Sequence, residues 1–213
     1  MISPIKSSRI EYDIRTYRNH RKEPVDSSSA KYKVAAGAIA GTILPMLFIA
    51  KKQKTNIFKL KYNTKEMLML SSGAILGGLC TGIITGKKEH RKQKMHEGVF
   101  QFLNATIPTL LTASLFSLTT KSKNFNNTPF KALSAITGLI GGMFLASKLA
   151  NIINDPYDKI PDRKLTLKDS IANIDDAIGI LVVTKVPIAD KLQVDKALPA
   201  VYSLCGYRAG MSN

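Results

Sequence analysis

Met67–Gly86, with the sequence MLMLSSGAILGGLCTGIITG, is a run of 20 residues without a charged side chain, bordered by Glu66 and Lys87. A helix of this length spans about 30 Å, which is the thickness of the hydrocarbon core of a bilayer. Three further stretches resemble it, at 34–50, 98–120 and 132–153, and the last contains a single charge, Lys148. Charges border these stretches at their ends, as is typical of spanning helices. The sequence therefore predicts an all-α polytopic membrane protein with four transmembrane helices.

The charge of the chain divides it into three regions. The whole chain has 31 Lys and Arg against 15 Asp and Glu, a formal net charge of +16, and a mean hydropathy near zero. Residues 1–153 hold 23 of the cations and seven of the acids, whereas residues 154–213 hold eight of each sign. We therefore predict a basic polar arm over 1–32, a four-helix membrane region over 33–153 and a charge-balanced helical tail over 154–213.

Small residues recur at four-residue spacing in three of the four segments. Residues four apart share one face of a helix, and glycine on that face lets a second backbone approach closely. The predicted helix-packing residues are Gly37, Gly41, Gly73, Gly77, Gly78, Gly82, Gly86, Gly138 and Gly142. These rows predict close helix packing within one bundle or between copies of the chain. Glycine is also common in mildly apolar membrane segments, and that alternative stays open.

The third segment is polar where the others carry glycine. Gln101 and Asn104 lie inside it, and Pro108 removes one helical hydrogen bond near its middle. Two interpretations stay open for Gln101, Asn104 and the lone Lys148 of the fourth segment. In the first, the three side chains line a polar pathway through the membrane. In the second, the two amide side chains form hydrogen bonds between helices, and the Lys148 side chain extends to the membrane interface.

The tail has the pattern of a soluble protein. Leu167, Ile171, Ile174, Ile178 and Leu181 follow at helical spacing behind a capping-box pattern at Thr166 and Asp169. A second helix is predicted from about Ala189 to Leu204, interrupted by Pro199.

Basic residues beside the spans predict a bilayer with anionic headgroups as the partner, and they need no further explanation. The N-terminal arm shows neither a stacking platform nor a nucleic-acid-binding module, which argues against a nucleic-acid partner. The distribution of Lys and Arg favours both termini on the cytoplasmic side of a cell inner membrane or an organelle membrane. Against this topology, the 51–66 connector holds six lysines, so segment 34–50 could instead be re-entrant.

No catalytic, metal-binding or cofactor motif is found in the sequence. The three histidines and two cysteines are not spaced as a zinc site, and no phosphate-binding glycine loop or nucleophile motif occurs. Cys80 falls within a glycine row, where burial would keep its thiol inert. We therefore expect neither an enzyme nor a cofactor or metal.

Three functional hypotheses follow. The first is a non-enzymatic scaffold or assembly factor that acts through helix packing, with another copy or another membrane protein as partner. The second is a small transporter or channel subunit with a polar third helix, and the third is a soluble or peripheral helical protein with basic patches. In its general plan, four spans rich in small residues joined by basic connectors, the chain resembles the mitochondrial inner-membrane import translocase family. That resemblance covers the architecture alone and transfers no residue.

Overall fold

The computed structural model describes residues 28–154 and 194–211, and every regular element within these ranges is helical. Five α-helices are present: α1 Ser28–Gln53, α2 Thr64–Thr85, α3 Arg91–Lys121, α4 Thr128–Asn154 and α5 Leu198–Met211. Short 3-10 turns precede α2, α3 and α5, at Ile57–Lys59, Lys88–His90 and Val194–Lys196. The predicted all-α fold with four long apolar helices and a C-terminal helix is therefore confirmed.

The first four helices are long and apolar enough to cross a membrane. Only 28% to 39% of the residues in their most apolar 18-residue windows are buried within the protein, so most residues of these windows are partly or fully exposed. In water this would be an apolar surface far larger than a soluble monomer exposes. The four helices thus suggest a membrane location.

Each long helix begins before its uncharged stretch. α1 continues without a break through Pro45, so 34–50 lies within one helix of 26 residues that has the length of a span. Charged residues continue the helices beyond these stretches because Lys, Arg and Glu are themselves good helix formers. At the start of α2 the Asn63 side chain accepts from Glu66 N at 3.0 Å and the Glu66 carboxylate accepts from Asn63 N at 3.0 Å, a capping box.

The helices form two hairpins, α1 with α2 and α3 with α4, while α2 joins them by packing on α3. Helix α4 ends beside the beginning of α3, since Asn154 Nδ2 donates to the His96 carbonyl at 3.2 Å. Helix α5 contacts α1, α2 and α3. It runs antiparallel to α1, because Ser203 Oγ lies 2.8 Å from Thr42 Oγ1 and Gly210 lies beside Val34.

Helix α5 belongs to the bundle, although the sequence placed it in a separate tail. Its N-terminal end lies at the connector between α1 and α2, where Asp195 pairs with Lys61 at 3.2 Å. Helix α4 therefore ends at one end of the bundle, and the described chain begins again, just before α5, at the other end. The predicted helix over 189–204 differs from the structure in its described part: Val194–Lys196 is a 3-10 turn and α5 runs from Leu198 to Met211, with Pro199 in its first turn, where its missing N–H costs nothing. Residues 189–193 lie outside the described residues. Three predicted features lie outside the described residues: the N-terminal arm up to residue 27, the Thr166 capping box and the amphipathic pattern over 167–181.

The connector between α1 and α2 is closely held to the bundle. Gln53 Nε2 donates to the Lys61 carbonyl at 2.6 Å, and Gln53 Oε1 accepts from Lys61 N at 3.3 Å. Leu60 and Tyr62 are buried in a core that also contains Leu198 of α5. Burial, with Asp195 and Glu66 nearby, raises the pKa of Tyr62 to about 12, so its phenol stays protonated at neutral pH.

Helix α1 ends in a Schellman motif whose left-handed position holds a lysine. Thr55 N donates to the Ala50 carbonyl at 3.1 Å and Lys54 N to the Lys51 carbonyl at 3.4 Å, while Lys54 has φ of 51°. Glycine is the usual residue here because a Cβ is disfavoured at positive φ.

Replacing Lys54 with Gly should therefore stabilise the fold by about 1 kcal/mol, the relief of left-handed strain being partly offset by the larger entropy of an unfolded glycine. Thermal unfolding of the purified full chain in neutral detergent measures this, with Lys51→Gly inside α1 as the control that should be destabilised by a similar amount. An unfolding temperature that falls in Lys54→Gly would contradict the assignment of strain.

Candidate helix-packing site

The α1–α2 interface is built on four of the predicted glycines. Gly37 and Gly41 of α1 face Gly73 and Gly77 of α2, and a Cβ added at any of the four would lie closer than 3.0 Å to the backbone of the other helix. A Cβ on Gly73 would also lie 2.6 Å from the Pro45 ring. Carbonyl oxygens therefore approach the opposing Cα atoms, where weak Cα–H···O contacts and dispersion stabilise the pair.

A second interface of the same kind joins α2 to α5. Gly78 lies against Gly206, and Gly82 lies against Gly210, with each added Cβ overlapping a carbonyl oxygen of the other helix. Gly206 and Gly210 were not among the predicted packing residues, although their four-residue spacing is the same signal. Helix α2 thus carries two glycine rows, one facing α1 and one facing α5.

The α3–α4 interface places glycines of one helix against polar and proline positions of the other. A Cβ on Gly138 would lie 2.5 Å from Thr112 Cα, and a Cβ on Gly142 would overlap Pro108 Cα. Thr119 Oγ1 and Ser134 Oγ are hydrogen-bonded across the same interface. Thr112 and Pro108 were not recognised as packing partners because only the glycine side of this contact has a sequence pattern.

The predicted row on α2 ends one glycine earlier than expected. Gly86 was predicted to extend the row of Gly78 and Gly82, but it follows α2 as its C-cap residue, with extended backbone and its N–H donating to the Gly82 carbonyl at 2.9 Å. Four-residue spacing places residues on one face only while the chain remains helical, and the helix ends before Gly86.

A buried lysine fixes the end of α5. Lys94 of α3 is fully buried, and its Nζ donates to the Gly210 carbonyl at 2.8 Å. A cation at the C-terminal end of a helix bonds carbonyls that the helix leaves unpaired and interacts favourably with the helix dipole. No sequence pattern indicates this role, since Lys94 is one of several cations between residues 87 and 97.

The residues of the predicted polar pathway do not lie together. Gln101 and Asn104 are buried on one face of α3, where Gln101 Nε2 donates to Glu97 Oε1 at 2.7 Å. Asn104 Oδ1 and Thr112 Oγ1 are buried and have no hydrogen-bond partner among the described residues. Lys148 is exposed on α4, away from this face. Two of the three residues thus share a buried helix face and the third does not.

An open apolar groove of about 480 Å³ lies on the outer side of the α1–α2 pair. It is lined by Leu44, Phe48, Leu76 and Cys80 over the glycine backbones. The prediction that Cys80 is buried in the glycine row is wrong: it is exposed, because it falls on the outer face of α2, whereas Cys205 of α5 is buried. Within residues 28–154 and 194–211 no group of three or more His, Cys, Asp or Glu could hold a metal ion.

The fold defines an all-α protein with four apolar helices of membrane-spanning length and a fifth, shorter helix packed among them. No protein-family model, curated protein or solved structure matches the chain. Its function is therefore inferred from the contacts between its own helices.

The glycine contacts predict opposite effects for one substitution at two positions. Alanine normally stabilises a helix by about 1 kcal/mol relative to glycine. At Gly78 the added methyl group would overlap the Gly206 carbonyl, so Gly78→Ala should destabilise the fold by about 1–3 kcal/mol. At Gly141 the nearest atom to an added Cβ is Leu111 Cδ2 at 3.8 Å, so Gly141→Ala should be neutral or stabilising.

Thermal unfolding of both variants in detergent tests the difference, and maleimide labelling adds a local readout. Cys205 is buried in α5, so Gly78→Ala in a Cys80→Ser background should also make its thiol react faster. Equal unfolding temperatures for the two glycine variants would contradict the packing role of Gly78.

Proposed function

We propose that this protein is a non-enzymatic integral membrane scaffold or assembly factor that acts through close packing of small-residue helix faces. The observation that carries the proposal is the placement of α5. Helix α5 does not follow α4 directly in the sequence, yet it packs against α1 and α2 through Gly206 and Gly210. Lys94 donates a hydrogen bond to the C-terminal end of α5. The bundle is thus suited to binding a helix by backbone proximity and a few polar contacts.

The outward surfaces support a role within the bilayer. The exposed large side chains of the four long helices are mainly aliphatic and aromatic, and Lys and Arg are exposed at both ends of the bundle. This distribution favours a cell inner membrane or an organelle membrane that contains anionic lipid. The described chain begins and ends at the same end of the bundle, which supports both termini on one side, proposed to be the cytoplasmic one.

The partner of such a scaffold is another copy of the chain or another membrane protein. The rows on α1 and α2 are occupied by contacts within the chain, so an external helix would meet the outer surfaces instead. Helix α4 offers one such surface, because among the described helices it packs mainly on α3 and leaves Leu133, Gly141 and Phe144 exposed.

Alkaline carbonate extraction tests the membrane part of the proposal. The full chain should stay in the membrane pellet, because outward apolar side chains of four spans hold it in the bilayer. A peripheral helical protein with basic patches, the third hypothesis, would move to the supernatant. Native gels of detergent extracts from the same membranes should then show an assembly larger than the 23.3 kDa chain, and a monomer alone would argue against the scaffold role.

A transporter or channel subunit is the second candidate, and one observation favours it. Asn104 Oδ1 and Thr112 Oγ1 are unpartnered polar atoms inside the bundle, where an unsatisfied group costs about 1–3 kcal/mol. Polar groups retained at such a cost mark pathways as well as packing sites.

Proton flux into vesicles that contain the purified chain, followed with a pH-sensitive dye, separates the two candidates. The scaffold predicts flux no greater than in empty vesicles. A pathway along α3 predicts flux that Asn104→Leu removes and that Lys148→Ala leaves unchanged, since Lys148 lies outside the buried face.

A further inference from the structure

The connector between α1 and α2 presents a fixed array of lysines at the end of the bundle. All six lysines of residues 51–66 are exposed. Two of them form ion pairs with nearby carboxylates, Lys52 with Glu66 at 3.6 Å and Lys61 with Asp195 at 3.2 Å. The excess positive charge of this surface is carried by Lys51, Lys54, Lys59 and Lys65.

Phe58 projects outward from the same connector. It is 80% exposed and belongs to the 3-10 turn Ile57–Lys59, whose cap Asn56 accepts from Phe58 N at 3.4 Å. Leu60 and Tyr62, two and four residues later, point into the core instead. The connector therefore has two buried side chains that anchor it in the protein, and its exposed side chains include an aromatic ring and lysines.

The array is held in place before any partner binds. The two hydrogen bonds from the Gln53 side chain to the backbone of Lys61 fix the connector against the end of α1. A preorganised surface loses less conformational entropy on binding than a mobile loop does.

Lys54 adds an independent observation. It occupies a left-handed position, with φ of 51°, where glycine would relieve strain. Strained positions of this kind concentrate at functional sites, which favours a role for the Lys54 ammonium group outside the fold itself.

We infer that the exposed face of the 51–65 connector binds the phosphate groups of anionic phospholipids, with the Phe58 ring inserted at the boundary between headgroups and acyl chains. Charge complementarity selects this partner, because each lysine close to a membrane surface is attracted to anionic headgroups, and four lysines without an ion-pair partner among the described residues are exposed here beside a span. An aromatic side chain among those lysines suits the interface between headgroups and acyl chains. This surface is separate from the glycine interfaces, so the inference rests on the membrane location in the proposed function and not on the scaffold role.

The chain contains no tryptophan, so Phe58→Trp supplies a single fluorophore at this surface. The purified full-length variant is kept in neutral detergent micelles, and phosphatidylglycerol or phosphatidylcholine is titrated in. Phosphatidylglycerol should shift the emission to shorter wavelength, and phosphatidylglycerol with brominated acyl chains should quench it. An emission that responds equally to both lipids would overturn the inference.

Charge variants in the Phe58→Trp background test the lysines. Lys59→Gln and Lys54→Gly should each raise the half-saturating phosphatidylglycerol concentration, by about fivefold per lysine. Lys54→Gly is the more decisive variant, because it is expected to stabilise the fold while weakening binding, so misfolding would not explain the loss. The matched control is Lys87→Gln with Lys88→Gln at the opposite end of the bundle, which should leave the titration unchanged. An equal loss in that control would overturn the assignment to this connector.

Two further probes define the source of the phosphate. Inorganic phosphate at the same concentration should leave the emission unchanged, since it supplies no acyl boundary for the ring. Polyglutamate should likewise produce no shift to shorter wavelength. A lipid-like response to either probe would indicate that the connector binds a soluble anion or an acidic protein segment and not a lipid headgroup, and it would overturn the inference.

Discussion

The structure depends on the close approach of α2 to two other helices at once. Gly73 and Gly77 on one face allow the α1 backbone to reach α2, and Gly78 and Gly82 on the adjacent face allow α5 to do the same. No residue larger than glycine fits at these positions without moving a neighbouring backbone. In a bilayer this constraint has particular weight, because lipid tails are as apolar as the helices and burial of apolar surface supplies little drive for association. Contact distance and dispersion decide the packing instead.

Polar side chains complement these contacts at the ends and inside the bundle. Lys94 donates a hydrogen bond to the C-terminal end of α5, and Lys61 forms an ion pair with Asp195 just before α5 begins. Between these two contacts, the hydroxyl groups of Thr42 and Ser203 are hydrogen-bonded. A short helix thus has polar contacts at three levels as well as its two glycine contacts. Several buried polar groups of α3 form such structural bonds, whereas Asn104, Thr106 and Thr112 have unpartnered side-chain oxygens among the described residues, and the pathway hypothesis starts from these.

The net charge of +16 has a structural counterpart at the two ends of the bundle. Lys31, Lys33, Lys87 and Lys88 are exposed at one end, and the lysines of the 51–66 connector are exposed at the other. The connector that fits least well with translocation is held against the helices through Gln53, Leu60 and Tyr62. A connector whose backbone is held in place loses less conformational entropy on binding a partner than a flexible polybasic loop does.

The sequence by itself determined the fold class, the four long helices and the faces on which glycine recurs, because length, charge-free runs and four-residue spacing are local properties of a helix. Tertiary structure decided which faces meet. It placed α5 beside α2 although they are far apart in sequence, buried Lys94 while leaving Cys80 and Lys148 exposed, and ended the α2 row at Gly82. Spacing defines a face but not the direction in which that face points, and this direction follows only from how the helices pack against one another.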